Sequence, residues 1–248
     1  MTGMEPPAEL DNVVWHSLVG PRSHLAERRG QAARFDPGVS VFAGVPDDAS
    51  PSAWADLADL VGPGGTAVLG RRSLQVPAGW ETVLAVPGVQ MLAEPSLDVT
   101  VPDQAAIEPL GPDDVDEMVA LVAATDPGPF ERRTVEFGGY LGIRSDGTLI
   151  AMAGERFRCA GYTEISAVCT DAAHRGRGLA SLLTRAVAAR IRARGDEAFL
   201  HAAASNTNAI RLYQTLGFTI RTTCDFAAVR RVTDGTDSAG DPPLLHEQ

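Results

Sequence analysis

Two stretches of this chain combine residue types that can hold an anion with residues that can move a proton. In the first, a β-branched run from Thr163 to Thr170 leads into a loop with Gly176 and Gly178, and a helical pattern opens at Leu179. Glycines let the backbone turn so that successive N–H groups point one way. A helix start adds unpaired donors and the positive end of its dipole. Together these features make a pyrophosphate cradle over Arg175, Gly176, Arg177, Gly178, Leu179 and Ala180. The loop is no Walker A site, since no Gly-Lys-Ser/Thr follows, and the Rossmann GxGxxG spacing is also absent.

Charge points the same way. Residues 172–195 carry six arginines (Arg175, Arg177, Arg185, Arg190, Arg192, Arg194) and no acid, in a chain of formal net charge −11. A basic island in an acidic protein suits a local anionic ligand. The overall charge excludes nucleic acid as the main partner, because phosphate backbones need a net basic footprint. There is no lysine, which excludes Schiff-base chemistry and a lysine base. Cys159, Cys169 and Cys224 are odd in number and lack CxxC spacing, and the five histidines form no ligand pair, so neither a disulfide framework nor a metal site is indicated.

The second stretch is Asn206, Asn208, Ala209, Leu212, Tyr213, Gly217 and Phe218. With the Arg175–Ala180 loop it resembles the GNAT superfamily. That family's loop reads Gln/Arg-x-x-Gly-x-Gly/Ala, and its second signature reads Asn-x-x-Ala-x-x-Leu-Tyr-x-x-x-Gly-Phe. The resemblance covers about 130 residues, strongly from Thr163 to Phe218. It implies acetyl-CoA as cosubstrate, held between splayed parallel strands at Thr163–Thr170 and Ala198–Ala202, with the loop amides on its pyrophosphate. It also implies that the backbone N–H near Val168 or Cys169 faces the thioester carbonyl. A preorganised donor at such a place is worth about 2.7–4 kcal/mol. Asn206 and Asn208 are expected to bond the pantetheine arm or order its turn, and Tyr213 to protonate the departing thiolate. As an isolated residue Asn206 reads equally well as a helix cap.

An attacking amine must lose a proton. Glu164 is the expected general base, directly or through water, best served by a pKa raised through partial burial. It precedes Arg175 by eleven positions, the spacing at which histone-acetylating members of the superfamily carry a catalytic glutamate. Strand alternation places Glu164, Ser166 and Val168 on one face and Ile165, Ala167 and Cys169 on the other. Glu155 is the reserve candidate. Cys169 reads as a buried small hydrophobe. His174 is expected at the surface, and His201 as an ordinary strand residue.

The elements that must position these groups are legible in the C-terminal part. Leu179 to Arg194 is a helix, with Leu179, Leu182, Leu183, Val187 and Ile191 on one face and Gly195 as its stop. Thr207 to Leu216 is a helix ended by Gly217. Tyr140–Arg144 and Thr148–Arg156 form a hairpin turned by Asp146-Gly147. Ile107 to Leu110 reads as a strand, and Pro112 opens a helix. Phe218–Thr222 and Phe226–Val229 read as two final strands.

The N-terminal part reads as mixed α/β, with helices at Asp11–Leu18 and Ser52–Val61, the latter capped by Ser52. Strands are expected at Val39–Val45, Thr66–Leu69 and Trp80–Val86. The expected fold is α/β, a mixed, twisted sheet flanked by helices with a smaller N-terminal α/β domain. That domain, residues 1–95, reads as a degenerate copy of the same fold or a lid that shapes the acceptor pocket. A linker at 96–103, the acetyltransferase domain at 104–232 and a disordered tail at 233–248 follow. No run of roughly 18 apolar residues is present for a membrane helix and the first ten residues hold no basic group, so the expected location is the cytoplasm. The expected activity is N-acetyl transfer to a small-molecule or peptide amine, without metal, nucleic acid or membrane partners. Homodimerisation is left open. The rival reading is a non-catalytic acyl-CoA-binding sensor or regulator.

Overall fold

The computed structural model describes residues 5–102 and 106–232. The expected tail at 233–248 lies outside the described residues. Among the described residues, eleven strands and five α-helices follow in the order α1 (Val13–Val19), β1 (Ala26–Arg29), β2 (Ala32–Phe35), β3 (Ala43–Gly44), α2 (Pro51–Val61), β4 (Thr66–Arg71), β5 (Trp80–Ala93), β6 (Ile107–Pro109), α3 (Val115–Thr125), β7 (Leu141–Ser145), β8 (Thr148–Cys159), β9 (Tyr162–Thr170), α4 (Leu179–Ala193), β10 (Glu197–Ala203), α5 (Thr207–Leu216) and β11 (Phe218–Arg231). The fold is α/β, as expected: one large mixed sheet flanked by helices, with a small antiparallel sheet β1-β2-β3 beside it.

The large sheet runs β4-β11-β5-β10-β9-β8-β7-β6. Strands of the N-terminal part, β4 and β5, therefore share it with the C-terminal strands. β5 sits between β10 and β11 and is antiparallel to both. Strands from either side of the boundary expected at 96–103 thus pair within one sheet. β5 also runs longer than Trp80–Val86. The strand continues through Pro87 and Gly88 to Ala93. Gly88 sits in a tight place: a Cβ would meet Cys224 Sγ at 3.1 Å and the Ala202 carbonyl at 3.2 Å, so those neighbours would have to give way slightly.

The helices follow their patterns closely. α2 is capped by Ser50 rather than Ser52; the Ser50 hydroxyl accepts from the Ala53 N–H at 3.3 Å, and Pro51 opens the first turn. The segment 39–45 is mostly irregular, with only Ala43–Gly44 in a strand. The two expected final strands are one long β11 with a register shift between Ile220 and Thr222. The core divides between the faces of the sheet. Leu200 of β10 packs with α4 and α5 residues such as Leu183, Val187, Ile191 and Tyr213. Phe199, its neighbour, points to the other face and packs with Leu10, Val14, Phe35, Phe42 and Phe157. The N-terminal part therefore covers the face opposite α4.

Candidate active site

β9 and β10 run parallel and pair only from Tyr162–Ile165 with Glu197–Leu200. Beyond that point they diverge, β10 staying with β5 through Ala203. At the divergence β9 carries a bulge: Met152 pairs Cys169 and Gly154 pairs Ser166, so Ala167 and Val168 together lie opposite Ala153. Ala167 sits at φ 52°, a left-handed conformation that a non-glycine residue seldom adopts. A bulge of this kind releases backbone groups from the ladder. It also reverses the side-chain alternation after it. Val168 packs against the same core as Ile165, whereas Ala167 and Cys169 join Met118 and Met152. The expected grouping of Val168 with Glu164 is thereby corrected.

The split opens into a cavity of about 710 Å³ that draws its walls from both faces of the sheet. On one side it is lined by Val168, Cys169, Arg175, Gly176, Gly178, Leu179, Ala180, Asn206, Asn208 and Tyr213. Among the expected site residues, Glu164 and Arg177 are not on this lining. Gly176 and Gly178 both have φ 76°, and a Cβ at either would meet nothing within 4 Å. Backbone conformation, not crowding, is therefore what calls for glycine. α4 has no side-chain cap. Its ladder starts with the Leu182 N–H donating to the Gly178 carbonyl at 3.0 Å, which leaves the amides of Leu179, Ala180 and Ser181 outside the helix bonds.

The arginine island is partly spent on structure. Arg185 pairs with Asp98, Arg194 with Glu155, and Arg192 donates to the Glu94 and Leu97 carbonyls. Arg175 and Arg177 stand at the loop, where Arg175 Nε donates to the Thr170 carbonyl at 3.3 Å. The Asn206 side chain caps α5, accepting from the Ala209 N–H at 2.9 Å, while also bordering the cavity. Burial, with Cys169 nearby, pushes the Tyr213 hydroxyl up to about 12. Burial raises the Cys169 thiol to about 11, so it is a thiol at neutral pH. His174 borders the cavity, its Nδ1 3.0 Å from Asp171 Oδ1.

Glu164 departs most from expectation. It is fully buried. It accepts from Arg156 Nε at 2.8 Å, Arg156 Nη2 at 2.7 Å, His201 Nδ1 at 2.7 Å and the Phe157 N–H at 3.3 Å. Burial alone would raise its pKa, but Arg156 and then His201 outweigh burial and hold it at about 2. The expected upward shift is reversed, because two N–H-rich partners stabilise the anion. Glu155, the reserve, is likewise buried and paired with Arg194 at 2.8 Å and Arg22 at 3.7 Å.

The residues missed in the sequence include the far wall: Phe42, Val86, Arg156, His201 and Phe226. They come from five separate places in the chain, and no local spacing links them. Only pairing of distant strands brings His201 beside Glu164. Thr170 also borders the cavity, and its buried hydroxyl oxygen has no hydrogen-bond partner. That orphaned group, the open glycine turn and the uncapped helix start fit a long anionic ligand with a polar arm, as coenzyme A is. Among the described residues, no three His, Cys, Asp or Glu side chains gather as a metal site. No helix among them is long and apolar enough to cross a membrane.

Comparison with known proteins places this architecture. The family described as FR47-like protein matches residues 140–227. No curated protein matches the chain. A crystal structure of a GNAT-family protein from Novosphingobium aromaticivorans is 40% identical, covering 92% of this chain and 100% of that one, with a TM-score of 0.82. A GCN5-related N-acetyltransferase from Kribbella flavida shares the fold at 18% identity and a TM-score of 0.60, covering 89% of this chain and 96% of that one. The 40% identity with the Novosphingobium aromaticivorans protein, over nearly the whole length of both chains, settles kinship, and the chain belongs to the GNAT acetyltransferase family.

Proposed function

We propose that this protein transfers an acetyl group from acetyl-CoA to an amine by direct attack within a ternary complex. The observation that carries the proposal is the cavity at the divergence of β9 and β10. It extends from the Gly176–Ser181 amides, past the bulge at Ala167, to the opposite face of the sheet. Such a passage lets one substrate enter from each face and meet in the middle.

Acetyl-CoA supplies the thioester. The amides of Leu179, Ala180 and Ser181, with Arg175, hold its pyrophosphate, and Arg177 adds positive charge outside the lining. Asn208 and Asn206 face the arm, Asn206 while keeping its cap. The backbone N–H released near Val168 or Cys169 polarises the carbonyl oxygen, which gains charge as the amine attacks. An N–C bond forms and the C–S bond breaks. The amine loses its surplus proton to solvent, and the departing sulfur takes one from Tyr213, which is replenished from water. With its pKa near 12, Tyr213 remains protonated until that moment.

Glu164 acts in this scheme as a positioning residue. Its carboxylate is saturated by four donors and is a weak base at a pKa near 2. It fixes Arg156 and His201 on the acceptor wall. The experiment is an acetylation screen over amines that follows release of free CoA thiol, run beside a thermal-shift titration with CoA. CoA protection together with amine-dependent thiol release is expected. Protection with no release for any amine would instead leave a CoA-binding protein without transfer.

A further inference from the structure

We infer that the acceptor is a primary amine with an apolar, preferably aromatic, body and no second positive charge. The inference rests on the proposed acetyl transfer and concerns the half of the cavity that faces away from α4.

That half is walled by Phe42, Val86 and Phe226, with Arg156 and His201 between them. Phe42 and Val86 are contributed by the N-terminal part, which gives that part a role in acceptor choice. The rings are fixed. Phe42 lies edge-on to Phe157 at 5.1 Å and to Phe226 at 5.9 Å, and the Arg156 guanidinium stacks over Phe42 at 5.1 Å and Phe157 at 4.5 Å. A fixed aromatic wall gives an aryl or alkyl body a surface to pack on.

Most polar atoms on this wall are already engaged. Arg156 uses Nε and Nη2 on Glu164. His201 contacts Glu164 through Nδ1, and its Nε2 lies 3.2 Å from Gln90 Nε2. The Gln90 amide is oriented by its other bonds: Oε1 accepts from Arg221 at 3.0 Å, and Nε2 donates to the Leu10 carbonyl at 2.9 Å. Gln90 therefore offers a donor to His201, whose Nε2 accepts, so the ring proton sits on Nδ1. Arg221 is in turn paired with Asp11 at 2.7 Å. Cys224, on the neighbouring β11, is buried, and burial pushes its thiol up to about 12. The charges thus cancel in pairs, and the carboxylate of Glu164 is not turned toward a ligand.

Among the described residues the one carboxylate on the cavity lining is Asp126, which belongs to the Thr125–Pro129 segment and not to this wall. A second ammonium buried against the wall would have no counter-ion there, and such burial is strongly disfavoured. Polyamines are excluded on that ground. For a single amine the same surroundings help. Desolvation against an apolar wall disfavours the ammonium form, so the amine enters ready to attack without a dedicated carboxylate base.

The test uses wild-type protein, acetyl-CoA and three amines of different chemistry: 2-phenylethylamine, spermidine and a lysine-bearing peptide with a blocked N-terminus. kcat/KM for 2-phenylethylamine should exceed the other two by at least about 10-fold, the lower end of what apolar pocket contacts discriminate. Preference for spermidine or the lysine peptide would overturn the inference while leaving acetyl transfer standing. CoA protection with none of the three acetylated would also count against it. Absence of both protection and acetylation would instead remove the acetyl-transfer reading beneath it. A Val86→Glu variant, checked for folding by its melting curve, supplies an independent arm. It should shift the kcat/KM ratio toward spermidine by about 10-fold or more. An unchanged ratio in a folded variant would contradict the assignment of this wall to the acceptor.

Discussion

Replacing Glu164 by Gln separates the positioning role from that of a base. The carboxylate is fully buried and held by Arg156, His201 and the Phe157 N–H. Its pKa lies at about 2, against 4.5 for an ordinary glutamate. At about 1.36 kcal/mol per unit, that difference corresponds to roughly 3 kcal/mol of stability. Breaking a buried ion pair from one side costs a similar amount, about 3–5 kcal/mol. Because the folded pKa is depressed, this contribution is fully present above the unfolded value near 4.5. It is lost as the pH falls toward 2. At pH 7 the variant should therefore unfold about 6–12 °C below wild type, at about 2–4 °C per kcal/mol for a chain of this size. In urea melts the gap should shrink by more than half at pH 3. The kinetic consequence differs from loss of a base: kcat/KM should fall and stay low as the pH rises, because Arg156 and His201 remain displaced. Full stability in Glu164→Gln, or recovery of kcat/KM toward high pH, would refute the positioning argument.

Other expectations follow from the same geometry. Gly176→Val with Gly178→Val forces β-branched residues into φ 76°, at about 1–2 kcal/mol each, and turns the amides away from the phosphates. CoA at a hundredfold its wild-type Kd, worth about 2.7 kcal/mol of protection, should then no longer raise the melting temperature; unchanged protection would move the site elsewhere. Tyr213→Phe should lower kcat by about 10²–10⁴ with CoA affinity little changed, and wild-type kcat would leave Tyr213 as a packing residue beside Phe218. Calorimetry should give one CoA per chain, since residues 1–95 carry no glycine phosphate loop; two would contradict that reading.

The parts of this site that the sequence reveals are those built from contiguous residues. The loop at 175–180, α4 and α5 announce themselves through glycine placement and helical spacing, and the hairpin through Asp146-Gly147. Two kinds of feature stay hidden. The bulge at Ala167 has no local marker, because alanine is not the residue that a left-handed position usually selects, and one extra residue flips every side chain beyond it. The partners of β5 are set by contacts more than a hundred residues away, as in Gln90 with His201. Glu164 illustrates the limit best. Its type, position and face are visible, but its four donors come from β8 and β10, and those donors decide whether a carboxylate takes a proton or keeps its charge.

Direct acetyl transfer through the passage between β9 and β10 can be followed by mixing the protein with isotope-labelled acetyl-CoA and 2-phenylethylamine, then weighing both the amine product and the intact protein by mass spectrometry. Labelled N-acetylamine should form in equal amount to the CoA released, with the protein mass unchanged throughout. Label on the protein before it reaches the amine, or CoA release without acetylamine, would contradict direct transfer.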